Sequence, residues 1–176
     1  MNDSIITQVT YLEIEKLQKI SIETFSETFG DQNSKDDLEK YIKENLSIKK
    51  LSNELNNPNS EFYFYQFNNQ AVGYLKVNFK EAQTEIKDSS SLEIERIYVL
   101  NKFQGQKIGH LLLEFAIERA KNENLTSVWL GVWEENKKAI SFYQKHNFIQ
   151  FDKHVFKLGN DLQTDILMKL PLNQID

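Results

Sequence analysis

Residues 11–29, YLEIEKLQKISIETFSETF, place Ile14, Leu17, Ile20, Phe25 and Phe29 at near-helical spacing, with Gly30 where a C-terminal cap belongs. NSKDDLEKYIKENLS predicts a second helix to about Leu46, with Ser34 as N-cap and Asp37 three residues on. A further helical stretch, IKKLSNELNN, ends before Pro58. The aromatic run EFYFYQF and the run QAVGYLKVNF flank Asn68-Asn69, which predicts a hairpin because asparagine tolerates the positive φ of the favoured turns. KEAQTEIKDSSS is polar and aperiodic, a loop, and LEIERIYV reads as a strand. After a glycine-containing loop, Ile108, Leu111, Leu112, Phe115, Ala116 and Ala120 recur along a helix. TSVWLGVW is nearly all apolar, as in a strand covered on both faces. NKKAISFYQKHNF predicts a shorter helix, and FIQFDKHVFKLGNDLQTDILMKL two strands turning at Gly159-Asn160-Asp161. Without repeat or linker, residues 1–176 read as one α/β domain.

Composition narrows the chemistry. There is no cysteine, which removes disulfides, thiolate metal sites and a cysteine acyl-enzyme. The three histidines, His110, His146 and His154, have no metal spacing. A net charge of −5 argues against broad nucleic-acid binding and is compatible with a cationic substrate. No apolar run approaches the ~20 residues of a membrane span, and MNDSIITQVT lacks a basic segment followed by an apolar one. A cytoplasmic location is the expectation.

The loop FQGQKIG puts Gly105, Lys107 and Gly109 at a helix mouth. A helix N-terminus offers unpaired N–H groups and about half a positive charge, so an anion is one reading and a tight strand–helix turn the other.

The order strand, QGQKIG loop, helix, strand, then NKKAISFYQKHNF resembles the GCN5-related N-acetyltransferases (GNAT), most sharply from Leu92 to Phe148. SIETFSETF, SLEIERIYV and VWLGVWEENKKAISFYQK look particularly like the PaiA-type spermidine/spermine acetyltransferases. The resemblance implies a central mixed, mostly antiparallel twisted sheet of about six to seven strands flanked by about four helices. It implies acetyl-CoA as co-substrate, an amine as acceptor, and a possible homodimer; the charge and the lack of an apolar span give the expectation of no nucleic-acid or membrane partner. Two positions depart from the family pattern: Lys107 and Asn147 stand where glycine is usual. Asparagine suits a left-handed helix-ending position, whereas lysine there is strained if φ is positive.

By resemblance, Ile97, Tyr98 and Val99 lend backbone to the pantetheine arm. Gln104, Gly105, Gln106, Lys107, Ile108, Gly109 and His110 wrap the pyrophosphate, and Asn136 and Lys145 belong to the same cofactor set. Asn136 is equally an N-cap by residue type, and Gly131 either packs beneath Trp129 and Trp133 or opens the cofactor cleft. Tyr143 is either a core tyrosine or, by resemblance, the proton donor to the departing thiolate. A phenol near ~10 protonating a thiolate near ~8.5 runs uphill by roughly 2 kcal/mol, so hydrogen bonding to the developing charge is an alternative to full transfer.

An amine with a pKa near ~10.4 is neutral in about one molecule in ~10³ at pH 7, so a base is expected. Glu93 and Glu95 lie two apart on one face of LEIERIYV. Glu95 is the candidate base, with a salt bridge to Arg96 or a lysine of the same sheet as its competing reading. A carboxylate gripping the reacting ammonium would raise its pKa, which suggests that acids hold the distal ammonium while aromatics surround the reacting one. The candidates are Glu23, Glu27, Asp31, Glu93, Glu134 and Glu135, with Phe25, Phe29 and Tyr98 as walls. Another amine (a protein N-terminus, an aminoglycoside, an amino acid) or a CoA-binding regulator with little catalysis are the competing functions.

Overall fold

The computed structural model describes residues 4–31, 33–158 and 161–172. Seven strands form one sheet in the order β1-β2-β3-β4-β5-β7-β6: β1 (Ser4–Gln8), β2 (Ser60–Phe67), β3 (Gln70–Phe79), β4 (Ser91–Val99), β5 (Ser127–Trp133), β6 (Ile149–Leu158) and β7 (Asp161–Pro171). Every neighbouring pair is antiparallel except β4 and β5. The helices are α1 (Ile14–Phe29), α2 (Lys35–Asn45), α3 (Ile48–Leu55), α4 (Ile108–Asn122) and α5 (Lys137–Lys145). Among the described residues no helix is long and apolar enough to cross a membrane.

The expected mixed sheet is present, with one helix more than the four expected. Residues 35–55 divide because the α2 ladder closes at Leu46 and Ser47 caps a new helix, accepting from Lys50 N–H at 3.3 Å. Strand β1 escaped the sequence reading: SIITQ is five residues long and mostly exposed, so no alternating pattern marks it. Asn68 and Asn69 turn the β2–β3 hairpin at φ 47° and 62°. At the β6–β7 turn, Gly159 and Asn160 lie outside the described residues.

Two apolar layers sandwich the sheet. Leu17 and Ile20 of α1 and Leu51 of α3 pack with Phe62, Phe64 and Tyr74 on one face. Ile108, Leu112, Leu113 and Ala116 of α4 and Tyr143 of α5 pack with Leu75, Ile94, Val128 and Leu130 on the other. Leu111, expected in the apolar stripe, is 40% exposed, and Leu113 is fully buried in its place.

What positions the site is the failure of β4 and β5 to stay together. They pair in parallel only from Ser91–Glu93 to Ser127–Trp129, while β5 remains paired with β7 over its whole length. Beyond Glu93 the strands splay, and the backbone of β4 has no β5 partner. A cleft of about 1120 Å³ opens there.

Candidate active site

The floor of the cleft is built by a bulge. Lys76 opposes Arg96 and Val77 opposes Ile94, so Glu95 is an extra residue in β4. The bulge resets the alternation: Leu92, Ile94, Ile97 and Val99 join the α4-side core, while Tyr98 and Leu100 join the other. Both Glu95 and Arg96 turn toward the α3 side. There Lys76 Nζ lies 2.5 Å from Glu95 Oε2 and 3.1 Å from Glu54 Oε1, and Arg96 contacts Glu54 at 2.9 Å and Glu95 at 3.0 Å.

This changes the part Glu95 can play. Burial alone would raise its pKa, but Arg96 and Lys76, with hydrogen bonds from Lys76 and Asn78, hold it at about 2. Such a carboxylate is a poor acceptor for an amine's proton, and the salt-bridge reading describes it. Glu93 shares its face, since Asn78 Nδ2 reaches Glu93 at 2.9 Å and Glu95 at 2.6 Å. Burial raises the Glu93 pKa against opposing hydrogen bonds from Thr84 and Asn78, and its oxygens are occupied by those same donors.

At the mouth of α4, Gly105 has φ +78° and Lys107 φ +64°. The left-handed conformation that would strain a lysine is therefore present, at a cost of about 1–2 kcal/mol. The first helical bond runs from Leu111 N–H to Lys107 O, and no side chain caps the end. The amides of Ile108, Gly109 and His110 thus lack helical acceptors. Lys138 Nζ donates to Gln104 Oε1 at 2.6 Å, bracing the loop against α5. A second brace is His110 Nδ1 to His146 Nε2 at 2.8 Å, while His146 Nδ1 lies 2.8 Å from Phe142 O. Because a carbonyl only accepts, His146 carries its proton on Nδ1 and receives one from His110 Nδ1.

Asn136 caps α5, its Oδ1 accepting from Ala139 N–H at 3.1 Å, and also lines the cleft. Tyr143 follows two turns later, 7% exposed, packed on Phe142 and Phe148 with its ring on the cleft wall. Its hydroxyl has no hydrogen-bond partner among the described residues, and burial pushes its pKa up. At α5's end Asn147 adopts φ 64°, the left-handed role expected of it.

The far wall is aromatic and acidic. Phe25 stacks on Tyr41 at 4.3 Å, and Phe29 meets Trp133 at 6.0 Å. Opposite Trp133 on β7 stands Asp165, whose Oδ2 would lie 3.6 Å from a Cβ at Gly131. That Cβ would meet only ordinary contacts, so packing does not require the glycine; its absence leaves the Asp165 carboxylate uncovered.

Of the residues chosen from sequence, Ile97, Tyr98, Val99, Gln104, Gly105, Lys107, Ile108, Gly109, His110, Asn136 and Tyr143 share the cleft with Phe25, Phe29, Glu93, Glu95 and Glu135. Gln106 and Lys145 are exposed and do not line it. Glu23 is exposed outside it because that face of α1 turns to solvent, and Asp31, in the turn beyond α1, is exposed outside it as well. Glu27 lies outside the lining and accepts from Asn101 N–H at 2.8 Å, tying α1 to the turn after β4. Glu134 is also outside, its carbonyl taking Lys137 Nζ at 2.6 Å. Sequence reasoning missed Tyr41 of α2, which stacks on Phe25, and also His154, Gln163 and Asp165, which enter the lining because β7 inserts between β5 and β6. It also missed Lys137 and Lys138, for which directly following the Asn136 cap was a usable signal.

The sheet is thus pried open at a parallel strand pair, beside a helix whose first amides are uncapped and a tyrosine whose hydroxyl has no partner among the described residues. The chain belongs to the acetyltransferase (GNAT) family, whose model matches residues 14–148. It is 41% identical over 167 residues to an uncharacterised N-acetyltransferase of Lactobacillus delbrueckii subsp. lactis, covering 95% of this chain and 96% of the relative. It is 24% identical over 147 residues to the spermidine N(1)-acetyltransferase of Thermoplasma acidophilum, covering 81% and 86% of the two chains. The crystal structure of PaiA N-acetyltransferase from Thermoplasma acidophilum in complex with coenzyme A matches with a TM-score of 0.80 at 22% identity, covering 97% of this chain and 99% of that one.

Proposed function

We propose that this chain transfers the acetyl group of acetyl-CoA to a primary amine of a polyamine such as spermidine, with Tyr143 assisting departure of the thiolate. The opening between β4 and β5 carries this reading, because it leaves the edge of β4 at Ile97, Tyr98 and Val99 without a β5 strand partner and open to the pantetheine arm, the Val99 carbonyl taking only the Gln104 side chain there. At one end of the opening, the amides of Ile108, Gly109 and His110 with Lys107 and Lys138 receive the pyrophosphate.

In the reaction the amine nitrogen attacks the thioester carbonyl carbon, and the C–S bond breaks with its electron pair left on sulfur. The Tyr143 hydroxyl, without a hydrogen-bond partner among the described residues, donates to that sulfur. Its raised pKa makes complete proton transfer costlier than the ~2 kcal/mol of an ordinary phenol, so hydrogen bonding to the developing charge does most of the work. Glu95 serves as part of the floor, neutralising Lys76 and Arg96. The polyamine assignment is supported by the aromatic and acidic far wall and by the substrate in the name of the Thermoplasma acidophilum relative. A long cation suits a wall of Phe25, Tyr41 and Trp133 with carboxylates beyond.

The test is thiol release from acetyl-CoA with spermidine, spermine, aminoglycosides, amino acids and an N-terminal peptide. Turnover on the polyamines is expected. Turnover only on other amines removes the polyamine assignment, and none on any, with acetyl-CoA bound, removes the catalytic one.

A further inference from the structure

Among the described residues six carboxylates line the cleft, and five have partners. Glu54 is held by Lys76 and Arg96, and Glu95 by Lys76, Arg96 and Asn78. Glu93 is held by Thr84 and Asn78, and Glu85 faces His154 Nδ1 at 3.2 Å. Glu135 sits 3.7 Å from Lys137, largely exposed. Asp165 makes no hydrogen bond or ion pair among the described residues.

Its position is as particular as its freedom. It stands between Trp133 on β5 and His154 on β6, directly across each strand pair, so all three side chains share one face of the sheet. The bare backbone of Gly131 lies beside its Oδ2, at the point where β5 turns away from β4. We infer that Asp165 is the base of the reaction, taking a proton from the substrate ammonium as the amine nitrogen enters the opening between β4 and β5. This rests on the acetyltransferase reading above.

The step balances. One N–H proton of R–NH3⁺ passes to Asp165 Oδ2 and on to solvent, leaving the nitrogen pair to form the N–C bond. As the C–S bond breaks, the Tyr143 hydroxyl hydrogen-bonds the departing thiolate, the second nitrogen proton passes to solvent, and the amide keeps the third. His154, facing Asp165 and already beside Glu85, offers the outward path.

Basicity separates Asp165 from Glu95. Burial lifts the Asp165 pKa, His154 lowers it and Glu85 raises it again, leaving it at about 6, whereas Glu95 stands at about 2. A difference of four units is about 10⁴-fold in proton affinity. The groups acting on Asp165 are His154 on β6, Glu85 from the loop before β4, and Tyr41 on α2, which feels its charge.

The experiment is a pH profile of kcat and KM from pH 5 to 10 for the wild type, D165N and D165E, with acetyl-CoA and whichever amine of the panel turns over. Binding of CoA and melting temperature are followed alongside. Asp165→Asn is expected to lower kcat about 10²–10³-fold at pH 7, to lose the acidic limb near pH 6, and to approach the wild type toward pH 10, where the amine deprotonates itself. Asp165→Glu recovers part of the loss, and CoA affinity stays unchanged throughout. An unchanged kcat profile overturns the assignment, as does a rise in KM alone, which would make Asp165 only an ammonium anchor. A wild type that binds CoA but acetylates no amine overturns the catalytic reading itself, and this one with it.

Discussion

Lys76 and Glu95 meet at 2.5 Å on the floor of the cleft, although the strand register sets Lys76 opposite Arg96. The bulge creates the meeting, and it joins two basic and two acidic side chains into one buried network with Glu54. Networks of this kind are costly to break on one side, because the remaining charges stay buried.

Replacing Glu95 with glutamine should therefore destabilise the fold. The Glu95 pKa lies below its ordinary value of 4.5, at about 2, so its contribution is fully present above pH 4.5 and is lost as pH falls through 2. That shift corresponds to about 3 kcal/mol at neutral pH. In thermal melts, E95Q should fall well below the wild type at pH 7, and the gap should narrow below pH 4.5. A gap constant with pH would argue against the network.

Asp165 runs the opposite way. Its folded-state pKa, at about 6, is above its ordinary 3.8, so folding binds a proton and stability declines as pH rises from about 3.8 to 6. Because the residue is half-buried, solvent reduces the effect to about 1–2 kcal/mol. D165N should melt higher than the wild type at pH 8 and equally at pH 3.5. A variant both slower and more stable is the signature of a group retained for chemistry.

Tyr143→Phe should lower kcat about 10²-fold without changing the affinity for CoA. Since the hydroxyl has no protein partner among the described residues, the melting temperature should hold. Loss of CoA binding, measured by calorimetry, would place the tyrosine in cofactor recognition instead.

Lys107→Gly separates strain from charge. Relief of the left-handed φ should raise stability by up to about 1 kcal/mol. Removing a cation from the mouth of α4 should weaken CoA several-fold, the more so at low salt. Tighter CoA binding by the glycine variant would show that strain dominates.

Much of this was readable in the residues. Asn68-Asn69 and Asn147 occupy positive-φ positions because asparagine is the cheapest non-glycine residue there, a local property that needs no tertiary knowledge. The caps at Ser34 and Asn136 are local in the same way. Glu93 and Glu95 share a face as period two requires. The consequence for Glu95 was hidden, since its partners come from β3, from α3 through Arg96, and from a bulge that no run of eight apolar and polar letters announces. Asp165 was invisible for a topological reason. Read in order, β6 and β7 form a plain hairpin, and only β7's insertion beside β5 brings 165 to the cleft.

The wedge in the sheet also divides the labour along the chain. On the proposed function the acyl-donor side is written in β4, α4 and α5, whereas Gln163, Asp165 and His154 sit on the last hairpin. The hairpin meets the donor side through β5 alone in the sheet, and β5 holds β4 by three residue pairs. On the proposed reading, the choice of amine is a detachable trait. Exchange of the β6–β7 hairpin between relatives would pass on a new acceptor preference while leaving the thioester machinery as inherited.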